Sequence, residues 1–88
     1  MEVAYAPSFV RKYKILPAGL KLEVKEKIAL FRDPKNHKIL KVHKLAGKLK
    51  EQFAFSVNYK IRIVFWYANT KPKEALLLAV GDHDVYDR

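Results

Sequence analysis

The sequence predicts a small single α+β domain with the element order β-α-α-β-β-β, in which an antiparallel sheet carries two N-terminal helices packed on one face. Three observations support this fold class. The chain has 88 residues, of which 50% are hydrophobic, enough for one core. Apolar residues recur at helical spacing only in the first third. The last third alternates like strands joined by short turns, and short connections favour antiparallel neighbours. Residues 1–88 are therefore expected to form one domain.

The N-terminal third is predicted to contain a short strand and two helices. The segment from Val3 to Tyr5 is β-prone, and Pro7 is compatible with the first turn of a helix. A second helix is predicted from about Leu20 to Arg32, ending where Pro34 forces the preceding residue out of the helical conformation. Each helix has one apolar stripe that is expected to be buried: Phe9, Tyr13 and Leu16 in the first, and Leu20, Val24, Ile28 and Phe31 in the second.

Three strands are predicted in the C-terminal part, over Phe53–Val57, Tyr59–Tyr67 and Ala75–Val80, with Asn58 in the first turn. The last of them is apolar throughout, which is typical of a strand buried on both faces. The middle strand alternates and should present two faces: Ile61, Ile63, Phe65 and Tyr67 on one, and Lys60, Arg62, Val64 and Trp66 on the other.

Positive charge is concentrated in the segment that connects the helices to these strands. The chain carries 18 Lys and Arg against 9 Asp and Glu, a net charge of +9. Residues Lys35–Lys50 contain six lysines, His37 and His43 without one acidic residue. Such a block suits a surface that binds a polyanion, although it is also found in solvated loops. The segment is expected to be irregular, with His37 an undistinguished solvated residue.

Several classes of protein are disfavoured by composition. There is no cysteine, so disulfides and thiolate metal sites are excluded, and the three histidines lack the spacing of a metal site. No cofactor or metal is expected. No apolar run approaches the roughly 20 residues of a membrane span, and the N-terminus has no signal-peptide pattern. We therefore expect a cytoplasmic protein.

Four segments in fixed order resemble the RelE/ParE superfamily of bacterial toxin–antitoxin toxins: Leu45–Lys50, Phe53–Val57, Tyr59–Phe65 and Gly81–Tyr86. The element order, length and basic charge agree over essentially the whole chain. The resemblance implies a ribosome-associated endoribonuclease that cleaves mRNA without a metal ion, by attack of the ribose 2′-hydroxyl on the adjacent phosphate. It also implies a cognate antitoxin protein as partner, expected to be an acidic segment that wraps the basic surface.

The resemblance also implies site residues. Arg62 matches the arginine of the family's arginine-isoleucine-x-aromatic strand, which contacts the scissile phosphate. His83 matches the histidine after the last strand, a general acid or base, and His43 resembles a second active-site histidine of the same branch. Tyr86 falls near the C-terminal aromatic that stacks on or positions a base. Ser56, by contrast, stands where one subgroup has a further catalytic histidine. Cations that bind RNA are expected from four lysines: Lys44, Lys48, Lys50 and Lys60.

These residue types suit the chemistry, but simpler interpretations exist. Histidine serves acid–base catalysis near neutral pH, and the planar guanidinium of arginine can hold two phosphate oxygens. Without the resemblance, His83 could be an ordinary surface residue, Arg62 could be a solvated strand residue and Tyr86 could fill the core at the terminus. Trp66 could pack against the helices or stack on RNA. Two other functions also remain open: a ParE-like inhibitor of DNA gyrase, and a non-catalytic RNA-binding module of the same fold.

Overall fold

The structure is a computed structural model that describes residues 1–47, 51–69 and 73–82. It contains two α-helices, one short 3₁₀ helix and five strands in these ranges. In chain order these are β1 (Glu2–Tyr5), α1 (Pro7–Lys14), α2 (Ala18–Phe31), the 3₁₀ helix (Pro34–Asn36), β2 (His43–Lys44), β3 (Phe53–Ser56), β4 (Arg62–Ala68) and β5 (Glu74–Gly81). None of the described helices is long and apolar enough to cross a membrane.

The five strands form one mixed sheet in the order β1-β5-β4-β3-β2. The antiparallel pairing predicted for the C-terminal strands is confirmed, since β3 pairs with β4 and β4 with β5 in that sense. The sheet as a whole is not antiparallel, because β1 runs parallel to β5. Short turns constrain only consecutive strands. The chain between β1 and β5 is long enough to cross over, so nothing in the local sequence determines that pair.

Both helices pack on one face of the sheet, as predicted, and the core lies between the helices and the sheet. Phe9 of α1 and Val24, Ile28 and Phe31 of α2 are buried against the sheet. Every buried residue in the described part of the chain is apolar. Aromatic rings form the centre of this core: Phe31 stacks on Phe55 with ring centroids 4.4 Å apart and meets the edge of the Phe65 ring at 4.7 Å.

Strand β5 lies inside the sheet and is less completely buried on the helix-free face than its apolar sequence predicts, although Ala79 is buried there. Leu77 is fully buried under the helices, whereas Leu76 and Leu78 are half-buried on a face that no helix covers. A β-bulge leaves Leu78 between two paired residues, and the Ser8 hydroxyl donates a 2.6 Å hydrogen bond to its carbonyl oxygen. An apolar strand can thus occupy an interior position that is only partly covered on one face, as well as a fully buried one.

The basic connector is more ordered than predicted. It contains the 3₁₀ helix, capped by an Asp33 carboxylate that accepts from the Lys35 amide at 3.0 Å, and the short strand β2. His37 is not a solvated residue. Its ring stacks on Phe31 with centroids 4.8 Å apart, and its Nε2 is 2.8 Å from the Phe31 carbonyl oxygen. His37 therefore closes one side of the aromatic core.

Candidate RNA-binding site

The sheet face without helices carries Arg62 of β4, as predicted. Residues paired across neighbouring strands share a face. One row across the sheet therefore contains Ser56, Arg62 and Gly81, because Arg62 is the partner of both others. On the same face, Val64 and Ala79 form a small apolar cluster with half-buried Leu45 and Leu78 beside them. The predicted division of β4 into an Arg62 face and a core face is confirmed.

Arg62 is half-buried, and its guanidinium is held in place by the turn between β3 and β4. Nη1 donates to the carbonyl oxygen of Asn58 at 2.6 Å and to that of Ile61 at 3.2 Å. Asn58 lies beyond the last paired row of β3, so the guanidinium points toward the end of the sheet where this turn lies. The hydrogen bonds leave the other guanidinium nitrogens available to an anion at that end.

Asn58 organises the turn, as predicted, with its side chain as well as its backbone. Its Oδ1 accepts from the amides of Lys60 and Ile61 at 2.9 and 2.8 Å. This arrangement delays the start of β4 to Arg62, three residues later than the sequence pattern predicts. Its Nδ2 lies 3.4 Å from a carboxylate oxygen of Glu23 on α2, which ties the turn to the helical layer.

His43 lies on edge strand β2, on the same face of the sheet as Arg62 but one row away. Its partner Ala54 is in turn the partner of Val64. From strand spacing, the Cα atoms of His43 and Arg62 are about 12 Å apart. The exposed imidazole places Nδ1 2.8 Å from the Lys41 carbonyl oxygen. A carbonyl only accepts, so Nδ1 carries the proton there, and Nε2 of the neutral ring is free to accept one.

The other predicted site residues fall in three places. Lys44 pairs with Phe53, whose ring belongs to the aromatic core, so it lies on the opposite face of β2 from His43. Lys60 is exposed in the turn rather than on the face of β4, which corrects its predicted placement. The remaining predicted residues, Lys48, Lys50, His83 and Tyr86, lie outside the described residues. The structure thus groups Arg62 with Ser56 and the turn, and puts His43 at the neighbouring edge.

The end of β5 brings the chain directly beside Arg62. Gly81 is the Cα partner of Arg62 in the antiparallel β4–β5 pair. His83 follows Gly81 by two residues in the sequence. The described part of the chain thus reaches the edge of the sheet next to Arg62 and ends at Asp82.

A cavity of about 310 Å³ opens at this end of the sheet, next to Arg62. Lys27 of α2 and Lys41 of the connector contribute further positive charge to its wall, and Tyr59 of the turn lies beside them. Sequence reasoning does not select these three residues. Lys41 and Lys27 are unremarkable among many lysines, but Tyr59 carries a usable signal: a large aromatic residue in a polar turn has no obvious core to fill. Its side chain is 90% exposed.

No group of three or more His, Asp or Glu side chains within residues 1–47, 51–69 and 73–82 is arranged to hold a metal ion. Partial burial raises the pKa of the Tyr67 phenol above its ordinary value of 10.0. Tyr67 lies on the core face of β4, with Lys73 Nζ 4.4 Å from its ring centroid. It does not belong to the candidate site.

The fold is shared with solved structures of toxins, although no protein-family model and no curated protein matches the sequence. YafQ from Escherichia coli superposes with a TM-score of 0.76 at 14% identity, covering 96% of this chain and 94% of that one. The toxin–antitoxin complex RelBE2 from Mycobacterium tuberculosis gives 0.70 at 14% identity, with 93% and 96% covered. The YoeB–YefM complex from Staphylococcus aureus gives 0.69 at 16% identity, with 94% and 97% covered. The predicted RelE-like fold is confirmed over nearly the whole chain.

Proposed function

We propose that this protein is the toxin of a toxin–antitoxin system and acts in the cytoplasm as an endoribonuclease that cleaves mRNA on the ribosome. The observation that carries the proposal is the row formed by Arg62 and Gly81: a guanidinium fixed at one end of the sheet beside the strand that leads to His83. The net charge of +9 and the fold shared with YafQ and the two toxin–antitoxin complexes support it.

The reaction requires a base, an acid and a cation, and the proposal assigns each to this chain. A base removes the proton of the ribose 2′-hydroxyl, whose oxygen forms a bond to phosphorus while the bond to the 5′-oxygen breaks. An acid then protonates that leaving oxygen. Arg62 stabilises the charge on the phosphorane. His83 and His43 supply acid and base, with Nε2 of His43 the nitrogen that exchanges the proton. Tyr86 positions a nucleobase of the RNA, and the step requires no metal ion.

Four lysines that take no part in the chemical step contribute affinity for the RNA backbone in this proposal. Lys60 in the turn and Lys44 on edge strand β2 are both exposed. Lys48 and Lys50 follow in the same basic segment of the sequence. Contacts of this kind position nucleic acid without reading its sequence, and they make binding sensitive to salt.

One observation favours a second candidate, a non-catalytic RNA-binding module. The guanidinium of Arg62 already donates two hydrogen bonds to backbone carbonyls, which gives the residue a structural role independent of catalysis. In that case the protein binds RNA but leaves it intact. Cleavage, rather than binding, separates the two candidates.

The proposed partner is a cognate antitoxin with an acidic segment that folds on the basic surface of the toxin. Two of the structures that share the fold are complexes, the toxin–antitoxin complex RelBE2 and the YoeB–YefM complex. Copurification from cells that express the native operon tests this part. Recovery of the toxin without a small acidic protein would contradict it.

Primer extension on an mRNA translated in a reconstituted bacterial system tests the proposed activity. We expect cuts within the coding region with the wild-type protein, and strong loss of cutting with Arg62→Ala and with His83→Ala. Lys14→Ala is a control for loss of one positive charge, because Lys14 is exposed at the end of α1. Intact mRNA, or equal cutting by His83→Ala, would reject the catalytic proposal. A supercoiling assay with DNA gyrase would then test the ParE-like alternative.

A further inference from the structure

The cavity beside Arg62 combines positive charges from three separate elements of the fold. Lys27 projects from α2, Lys41 from the connector before β2, and Arg62 from β4. No carboxylate side chain lines the cavity among the residues that the structure describes. Glu23, one turn before Lys27 on α2, is engaged with the amide of Asn58 instead. Three cations around one cavity repel each other, so their arrangement favours an anion between them.

Lys41 is held in this position by an unusual backbone conformation. Its φ angle is +58°, in the left-handed region that lysine rarely adopts. Hydrogen bonds on both sides maintain it: the amide of Val42 donates to the His37 carbonyl at 3.0 Å, and the amide of Ser56 donates to the Leu40 carbonyl at 2.8 Å. Strain of this kind persists where surrounding contacts impose it, and it is concentrated at binding sites.

Tyr59 adds an aromatic surface to this positively charged cavity. It lies at the tip of the β3–β4 turn, and its 90% exposure means that the ring packs against little else in the described structure. Ile39, also at the cavity, is 70% exposed. Exposed aromatic rings next to lysine and arginine are the combination that binds single-stranded nucleic acid, where the base stacks on the ring and the cations hold the phosphate.

We propose that this cavity binds the nucleotide next to the phosphodiester held by Arg62, with its phosphate between Lys27 and Lys41 and its base stacked on Tyr59. The inference rests on the proposed function for its ligand, single-stranded RNA, and it extends the RNA contacts from the sheet face around the turn to α2. An acidic peptide would match the charges, but it would leave the exposed ring of Tyr59 unused. The size of the cavity, about 310 Å³, suits a nucleotide.

Binding of an RNA that cannot be cleaved tests the inference separately from catalysis. The probe is a short fluorescein-labelled RNA with 2′-O-methyl groups throughout, and the readout is fluorescence anisotropy across a series of salt concentrations. The variants are the double substitution Lys27→Gln/Lys41→Gln, together with Tyr59→Ala and Tyr59→Phe. Lys25→Gln/Lys14→Gln is the matched control, since both lysines are exposed on the helices and lie outside the cavity. Thermal unfolding verifies that each variant is folded.

We expect the cavity double variant to weaken binding by roughly tenfold and to reduce the slope of log K against log salt by about 0.7 for each phosphate that it no longer neutralises. Tyr59→Ala should weaken binding by about tenfold, and Tyr59→Phe should bind nearly as the wild type does, because it keeps the stacking surface. The control double variant should lose much less affinity.

Equal losses in the cavity and control double variants, or unchanged affinity in Tyr59→Ala, would overturn the inference. So would cavity variants that bind this RNA normally but lose affinity for an acidic antitoxin peptide. Cavity-dependent binding of RNA by a protein that fails to cut mRNA would support the inference while rejecting the proposed cleavage.

Discussion

The guanidinium of Arg62 donates a 2.6 Å hydrogen bond to the backbone carbonyl of Asn58, so the residue proposed to hold the scissile phosphate is anchored by the turn that precedes its own strand. The side chain of Asn58 also organises this turn, because its Oδ1 accepts hydrogen bonds from two backbone amides. The position of the proposed phosphate ligand is therefore set locally, within five residues of sequence. This relationship connects the stability of the turn with the activity proposed for the site.

Substitution of Asn58 should affect both properties. Asn58→Ala removes the Oδ1 acceptor of two backbone amides and should lower the free energy of unfolding by about 1–2 kcal/mol. It should also reduce mRNA cleavage, since the turn that holds Arg62 is loosened. Urea denaturation and primer extension measure the two effects. Asn69→Ala, exposed at the other end of β4, is the control and should change stability by less than about 0.5 kcal/mol. Equal stabilities of the two variants would show that the side chain of Asn58 does not organise the turn.

Arg62→Lys should not be a conservative change. Lysine keeps the charge but lacks the planar fork that can bind the turn carbonyls and a phosphate at the same time. We expect cleavage to fall by about 100-fold, as for loss of a transition-state donor. Primer extension with dilutions of wild-type protein as the standard measures the loss. Wild-type cutting by Arg62→Lys would mean that only a diffuse positive charge is needed.

His43 can be tested with a substitution that keeps one hydrogen bond and removes the proposed proton exchange. The amide nitrogen of asparagine lies near the position of Nδ1 and can still donate to the Lys41 carbonyl. His43→Asn should therefore unfold at the same urea concentration as wild type, while cleavage falls by about 10²- to 10⁴-fold. Lys14→Gln, which changes an exposed residue of α1, controls for nonspecific effects. Full activity of a stable His43→Asn protein would assign general base catalysis elsewhere.

The aromatic core should be the main source of stability. Phe31 is fully buried and contacts Phe55, Phe65 and His37 at ring centroid distances of 4.4 to 4.8 Å. Phe31→Ala should lower the free energy of unfolding by about 3–5 kcal/mol, and Phe31→Leu by less. Urea denaturation followed by circular dichroism measures both. Ile15→Ala, at a position that is 77% exposed, should change it by less than about 0.5 kcal/mol. A smaller loss for Phe31→Ala than for Ile15→Ala would contradict this view of the core.

Stability should decline in alkaline solution in part because of Tyr67. Burial raises the pKa of this phenol above its ordinary value of 10.0, so the folded protein keeps the proton where the unfolded chain loses it. The folded state then binds more protons than the unfolded state, and stability falls as pH rises through 10 and above. Tyr67→Phe should flatten this dependence in thermal unfolding between about pH 9 and pH 11. Tyr59→Phe, which changes an exposed tyrosine, is the control. Parallel curves of unfolding temperature against pH for Tyr67→Phe and wild type would show that Tyr67 is not the cause of the decline.

Periodicity is sufficient to predict most of the fold. The stripes Phe9–Tyr13 and Val24–Ile28–Phe31 are local patterns with a period that only a helix satisfies. The structure buries them as expected, except that Tyr13 is only partly buried against the core. The faces of β4 follow from alternation in the same way. Pairing between distant strands has no local signature, which is why the parallel contact of β1 with β5 is not predicted.

The site is less predictable than the fold because its parts come from distant segments. Arg62 is selected only by the family resemblance of its strand, and its tie to Asn58 depends on the conformation of the turn. His37 is predicted to be solvated because a histidine in a basic loop has no visible partner, whereas its stacking on Phe31 arises only when the connector folds back on α2. Lys27 and Lys41 can be recognised as candidate site residues only from the structure, because both line the same cavity.

The place of β5 in the sheet has a consequence for biosynthesis. This strand, the last one described, lies between β1 and β4, and Glu2 is paired with Glu74, 72 residues further along the chain. Pairing at such separation is slow relative to local contacts. During synthesis, β1 has no partner until β5 has left the ribosomal exit tunnel. A nascent chain in which β5 has not yet emerged therefore lacks the strand that joins β1 to β4 in the described sheet.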